Sequence, residues 1–458
     1  MRQYIDFYNS QQESICAHSS QLMNSHRAEA LEVVERVPLP RKGSENYEVS
    51  DLPAMFAPDF GINVNRVDIP IDVADTFRCD VPNLSTHIYF LLNDAFRAGK
   101  SSGVSMPSGV IVDSLCRASQ LYPDLVGQYY NTIAPHDNAQ VALNTLLAQD
   151  GVFVYIPDGV VLDKPLQFVN IFNSAKPLMG NRRWLIVMGR DANARMLLCD
   201  HTQNKECEFL NNQVMEVVLG ENATLDIYDI EESSSLTGRV SSLWARQATG
   251  SNLLVNGITL VNGTTRNDMS VDIVGEHCET HLLGMAICNE HQVIDNHTFI
   301  AHNTPRCTSN ELFKYVLDDE ARGAFTGKIL VKKGADKVEA YQSNKNVLAS
   351  ELAKVHTKPQ LEIYNDDVRC SHGATVGQLD KNALFYMQAR GISLSEARTL
   401  LMQAFMSDVI AEVRLESLRD RLRHLVEKRF YGQLALCRDC AASCHDKINH
   451  ICIYEQNS

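Results

Sequence analysis

Several broad functional classes are excluded by what the 458-residue chain lacks. Its opening, MRQYIDFYNSQQESICAHSS, has no apolar h-region, and nowhere do about 18 apolar residues run together. Neither a recognisable export signal nor a membrane-spanning helix is therefore expected. There is no G-x-x-x-x-G-K-[ST] loop, so the chain should not hydrolyse ATP by itself. Positive charge is in deficit: a net charge of −14 removes any general affinity for nucleic acid phosphates. The thirteen cysteines follow no framework spacing and their number is odd, which fits free thiols in a reducing compartment better than a disulfide scaffold. The expectation is a soluble cytoplasmic protein with no nucleic-acid or membrane partner.

The length allows a large core and roughly two to three domains. Residues 1–150 mix helical periods with proline-bearing loops such as VPLPRKG and MPSG, and read as a mainly helical N-terminal cap. From 151 to 377 the pattern changes to short alternating runs bounded by Gly, Asn and Asp: VFVYI, RWLIVM, MEVVL, TLDIYDI, NLLVNGITLV, AFTGKILV. A weak repeat runs through them. Gly189, Gly220, Gly275 and Gly334 each open a short polar turn, and at three of them a small residue, Ala192, Ala223 or Cys278, takes the fourth place. The glycine can supply a positive φ at a tight corner, and the small residue can point into a narrow core. This favours a β-solenoid with a corner every one to three coils, with a β-sandwich as the alternative.

Residues 378–458 return to a helical period. Gly391 reads as a helix C′ residue and Ser393-Leu-Ser-Glu396 as a capping box. Behind it Ala397, Leu400, Leu401, Ala404, Phe405 and Val409 make one apolar stripe, and Leu415, Leu418, Leu422 and Leu425 a second. Such stripes serve as core or, in a short helical region beside a long solenoid, as a docking surface.

The chemistry-bearing residues concentrate near the end of the solenoid. Cys370 and His372 stand two apart in a predicted strand and so share a face. A thiolate and an imidazole are half of a metal site, which wants about four ligands; the alternative is a buried thiol beside a hydrogen-bonded histidine. The tail array Cys437, Cys440, Cys444 and Cys452, with His445 and His450, offers soft ligands for zinc or an iron–sulfur cluster, or is a helix end with free thiols. A further spread of His and Cys from His277 through Cys288 and His291 to Cys307 could be drawn together by stacking of coils. Asp366 and Asp367, adjacent in a predicted strand, point to opposite faces, which argues against the paired carboxylates of a polysaccharide-active β-helix enzyme.

The run PQLEIYNDDVRCSHGATVG at 359–377, with AYQSNKNVLAS before it and LFYMQARGIS after it, closely resembles the SufB/SufD family of iron–sulfur cluster assembly proteins. DGVFVYIPDGVVLDKPL and HNTPRCTSNELFKYVLDDEARGAFTGKILV extend the similarity over roughly 150–426. The resemblance implies a right-handed parallel β-helix between helical ends, and it favours the SufD type. Cys370-Ser371-His372-Gly373 follows the SufD pattern, whereas the SufB type carries a glutamate after the corresponding histidine. It further implies a non-catalytic scaffold subunit that pairs with a SufB-like paralogue and binds a SufC-like ATPase through its C-terminal helices. Leu400, Leu401, Phe405 and Val409 are then the candidate docking residues, and His372 and Cys370 lie at the subunit junction. No permanent cofactor is expected, only transient iron or an iron–sulfur cluster at that junction, and the isolated chain is expected to self-associate as a homodimer. The rival implication is a purely structural scaffold that contributes no ligand.

Overall fold

The structure, a computed structural model, describes residues 1–67, 85–98 and 106–431. Alternation of apolar and polar residues drives the central strands into two sheets that share one interior. One sheet carries, in spatial order, β3 (Ile111–Ser114), β4 (Gly151–Ile156), β6 (Leu178–Met188), β8 (Phe209–Leu219), β10 (Thr237–Gln247), β12 (Thr264–Ile273), β14 (Val293–His302), β16 (Arg322–Val331) and β18 (Lys354–Ile363). The other runs β2 (Ala95–Ala98), β1 (His87–Leu92), β5 (Leu166–Phe172), β7 (Asn193–Thr202), β9 (Thr224–Glu232), β11 (Asn252–Val261), β13 (Glu279–Cys288), β15 (Thr308–Leu317), β17 (Val338–Leu348) and β19 (Val368–Gly377). From β4 onward the chain crosses to the other sheet at every step, and all pairings there are parallel. This is a β-solenoid of about eight turns. The region expected to be a mainly helical cap also supplies β1, β2 and β3, whose antiparallel pairings β1–β2 and β3–β4 finish the first end. Between the sheets lies a continuous apolar core, with Trp184, Ile186 and Met188 from one side facing Met196, Leu198, Leu225 and Ile227 from the other.

The corners explain the repeat, with one correction. Of the four repeat glycines only Gly334 has a positive φ; in the other three turns the left-handed residue is the third one, Asp191, Asn222 or His277. Gly189, Gly220 and Gly275 are required instead by crowding between stacked corners: a Cβ on Gly275 would lie 1.9 Å from the Thr249 nitrogen, and one on Gly220 2.9 Å from the Gly189 carbonyl carbon. Ala192, Ala223 and Cys278 do point into the core, where all three are buried. Asn and Asp tolerate the left-handed region because their short side chains bond locally, and here Asn222 donates to the Asp191 carboxylate of the preceding coil at 2.9 Å.

Helices cover the outer face of each sheet. On the first, helices Arg2–Ala17, Arg27–Arg36 and Ala139–Leu147 pack Tyr4, Val33, Leu143 and Leu146 against Met179, Leu210 and Val240. A fully buried ion pair, Arg183 to Glu216 at 2.7 Å, helps to hold that layer, since Glu216 also accepts from the backbone N–H groups of Asn131, Ile133 and Ala134.

On the second, helices Leu394–Ala411 and Glu416–Phe430 place Met402, Met406, Val409, Leu418, Leu422 and Leu425 against Tyr228, Ile258 and Leu283. Half of the expected capping box forms, the Ser393 hydroxyl accepting from the Glu396 N–H without a return bond from the Glu396 carboxylate, and after helix Lys381–Ala389 the Gly391 and Ile392 N–H groups return to the carbonyls of Gln388 and Met387. Among the described residues no helix is long and apolar enough to cross a membrane.

Candidate functional site

β19 is the last strand of its sheet. It pairs on one side with β17 and no described strand pairs with its other side, and β18 occupies the corresponding position in the first sheet. Along β19 only Val368 and Cys370 are partly covered, and the following helix, Lys381–Ala389, buries none of its residues. Among the described residues the solenoid therefore ends in an open rung. Exposed apolar side chains lie on β17, on β19, in the bend before it and on the helices that follow: Tyr341, Val376, Tyr364, Phe385, Tyr386 and Leu394.

Cys370 and His372 share a face, as their spacing predicts, and it is the inward face. In the β17–β19 register Cys370 lies over Ala340 and His372 over Gln342. Cys370 packs at the edge of the apolar group formed by Ile329, Val331, Ala335, Val338 and Ala340. Burial pushes its thiol above the ordinary value, against an N–H from Ala340 that favours the thiolate. His372 stays exposed above a different column. Beneath it, Gln342 donates to Glu311 at 2.7 Å, and Thr298 reaches across from the first sheet to donate to the same Glu311 oxygen at 2.9 Å. Glu311 is fully buried, and burial raises its acid to about 7 against those two donors. The amide oxygen of Gln342 is buried without a hydrogen-bond partner, one rung below His372. This column of the interior is polar and ends beneath an exposed imidazole.

Gln342 and Glu311 escape sequence reasoning because a polar residue in an alternating strand is by default placed outside. The signal that could have found them is parity: Ala340, Gln342, Asn344 and Asn346 continue the inward set of β17, and the last three are polar and buried.

Among the described residues no group of three His, Cys, Asp or Glu is placed to hold a metal ion. Among the described residues, Cys370 and His372 therefore offer two ligands at this position. Of the four candidate docking residues, Val409 is fully buried against the solenoid, Leu401 and Phe405 are half-buried, and Leu400 is exposed. The predicted stripe overlaps the buried face of its helix only at Ala397 and Val409; the rest of that face is Thr399, Met402, Met406 and Ile410. Cys437, Cys440, Cys444 and Cys452 lie outside the described residues. In the spread of His and Cys along the solenoid, stacking brings Cys278 and Cys307 together, while His277 and His291 sit on exposed turns and Cys288 is buried beside Asn262. Asp366 and Asp367 prove to lie in the bend between β18 and β19, where the Asn365 side chain accepts from the Asp367 N–H, so their strand parity carries no argument.

Comparison with known proteins agrees with this geometry. Residues 170–405 match the family model for the SufBD core domain of the SUF system for FeS cluster assembly, and residues 1–168 match that for the SufBD protein N-terminal region. An iron–sulfur cluster assembly SufBD family protein of Synechocystis sp. is 27% identical over 428 residues, covering 92% of this chain and 94% of its own length. The iron–sulfur cluster assembly protein SufD of Bacillus subtilis is 23% identical over 88% of this chain and 93% of its own. The Escherichia coli protein of the same name is 36% identical over 36% of this chain and 40% of its own.

Proposed function

The chain belongs to the SufBD family of iron–sulfur cluster assembly proteins, and from that premise we propose that it is a SufD-type, non-catalytic subunit. In this reading it pairs through its open rung with a SufB-like paralogue and carries a SufC-like ATPase on its C-terminal helices in the cytoplasm. Iron or the growing cluster is cargo at the junction of the two solenoids. The observation that carries the reading is the end of the solenoid among the described residues: a β19 edge that no described strand pairs, a helix that buries nothing, and exposed apolar residues on β17, β19 and the helices that follow, with His372 and Cys370 on the inward face. Uncapped edges are a liability that a second chain removes.

Within that junction the imidazole of His372 binds ferrous iron when neutral, or stabilises a thiolate or persulfide when protonated, and the partner supplies the remaining ligands. Cys370 is a second ligand or a packing residue of the same junction. Leu400, Leu401 and Phe405 are the part of the apolar stripe open enough to meet the ATPase, and Val409 anchors their helix from below. Gly373, which stands where the SufB type has a glutamate, supports the SufD assignment.

The test is co-purification with SufB-like and SufC-like partners, comparing the natural chain with His372→Ala for complex formation and iron–sulfur content. A complex that forms in both, with cluster lost only in the variant, places His372 in assembly. Unchanged cluster content makes the chain a positioning scaffold without a ligand, and failure of the natural chain to form the complex overturns the proposed pairing.

A further inference from the structure

At one corner of the solenoid two thiols from successive coils meet in the interior. Cys278 immediately precedes β13 and Cys307 immediately precedes β15, so the two residues are neighbours across a parallel ladder, and the Thr308 N–H bonds the Cys278 carbonyl at 2.8 Å. Their sulfurs converge on one atom. Cys278 Sγ lies 3.1 Å and Cys307 Sγ 3.3 Å from the carbonyl oxygen of Gly275. The column continues upward through Ser251, whose hydroxyl is 3.7 Å from Cys278 Sγ.

We propose that Cys278 and Cys307 form a reversible disulfide that staples two adjacent coils of the solenoid when the protein meets a peroxide. Adjacent strands lie about 4.7–4.9 Å apart, inside the roughly 4.4–6.8 Å range of Cα separations that a disulfide spans without moving the backbone. In the reaction two S–H bonds break and one S–S bond forms. The two electrons and two protons released reduce the O–O bond of hydrogen peroxide to two molecules of water. A dithiol reverses the step by exchange.

Three features favour this pair over the other described cysteines. The two sulfurs share the Gly275 carbonyl oxygen, and each shifts the other: Cys307 is held well below the ordinary thiol value by its neighbour, while Cys278 is held above it. One thiolate beside one thiol is the arrangement from which a sulfur is oxidised and then resolved by its neighbour. His302, fully buried, bonds the Ser309 hydroxyl through Nε2 at 2.9 Å, and its Nδ1 has no hydrogen-bond partner in the site. Finally, the pair is only one residue from solvent. His277 and Arg306, which immediately precede the two cysteines, are exposed and both adopt the left-handed region, at φ +60° and +59°. A short opening of this exposed corner therefore suffices to bring peroxide to the pair.

The experiment uses the full chain, reduced and then treated with hydrogen peroxide, followed by alkylation under denaturing conditions and peptide mapping without reductant. The expected product is a Cys278–Cys307 cross-linked peptide that has lost two hydrogens and disappears with dithiothreitol, accompanied by a rise in the thermal midpoint of roughly 5 °C. Cys278→Ser, which repeats the serine found at Ser251 in the coil before, should fold and lose both the cross-link and the rise. The proposal is overturned if both thiols alkylate as fully as in the reduced protein. It is equally overturned if either is found as a sulfinic acid with the other free, or if stoichiometric zinc co-purifies and protects the pair. Because the mapping is done on the natural chain, a variant that fails to fold does not remove the test.

Discussion

Gln342 donates to Glu311 at 2.7 Å inside the last closed coil, leaving its own amide oxygen unpartnered on the rung directly beneath His372. A buried acid thus lies two coils below an exposed imidazole in one column of the solenoid. Burial raises Glu311 from the ordinary 4.5 to about 7. The sign of the effect on stability follows from linkage. Below about pH 4.5 the acid is protonated folded and unfolded alike. Between there and pH 7 the unfolded chain has released a proton that the folded chain keeps out of the charged form only at growing cost, so stability falls, and above 7 it levels off. Glu311→Gln keeps the shape and removes the titration. It should match the natural chain near pH 4 and exceed it by roughly 2–3 kcal/mol at pH 8, read from urea unfolding at the two pH values. Equal slopes with pH in both chains would refute the assignment.

Lys314 fixes the C-terminal helices to the second sheet. Its ammonium is almost wholly buried, donates to the Phe405 carbonyl at 2.8 Å, pairs with Asp408 and lies 4.6 Å from the centre of the Phe405 ring. Lys314→Met keeps the apolar stem and deletes the charge. Asp408 is largely exposed and remains hydrated, so the cost is modest, roughly 1–3 kcal/mol. It should appear as faster hydrogen exchange in residues 394–430 with the solenoid strands unaffected.

Gly373 is open. A Cβ there meets nothing within 4 Å and its φ is not positive. Gly373→Glu should therefore fold with stability changed by no more than about 0.5 kcal/mol. A larger loss in thermal unfolding would mean that glycine is retained for structure and not because of its place beside His372.

Phe385 is 73% exposed on the helix that buries nothing. Phe385→Asp should leave the isolated chain's unfolding midpoint within about 2 °C of the natural value, since no packing is lost. It should weaken capture of the SufB-like partner at least tenfold in titration. Unchanged affinity would move the proposed junction away from this helix.

Much of this protein was fixed by periodicity. Alternation over 151–377 specifies strands, and the turns with Ala192, Ala223 and Cys278 specify stacked corners, because a period of two and a small residue at a narrow corner are local demands. The shared face of Cys370 and His372 follows from the same period, and the helix caps at Gly391 and Ser393 are equally local. What the sequence could not decide is which face meets what. Of the apolar stripe, Leu400, Leu401 and Phe405 fall beside the true buried face and only Val409 lies on it, because a helix touching a sheet on one side leaves several faces of nearly equal hydrophobicity. Glycines at the corners were needed for close approach between coils some 30 residues apart, a contact with no local signature. Gln342, Glu311 and the Cys278–Cys307 pair were legible only after folding, since stacking places residues from separate coils within bonding distance and encloses polar groups that composition alone assigns to the surface.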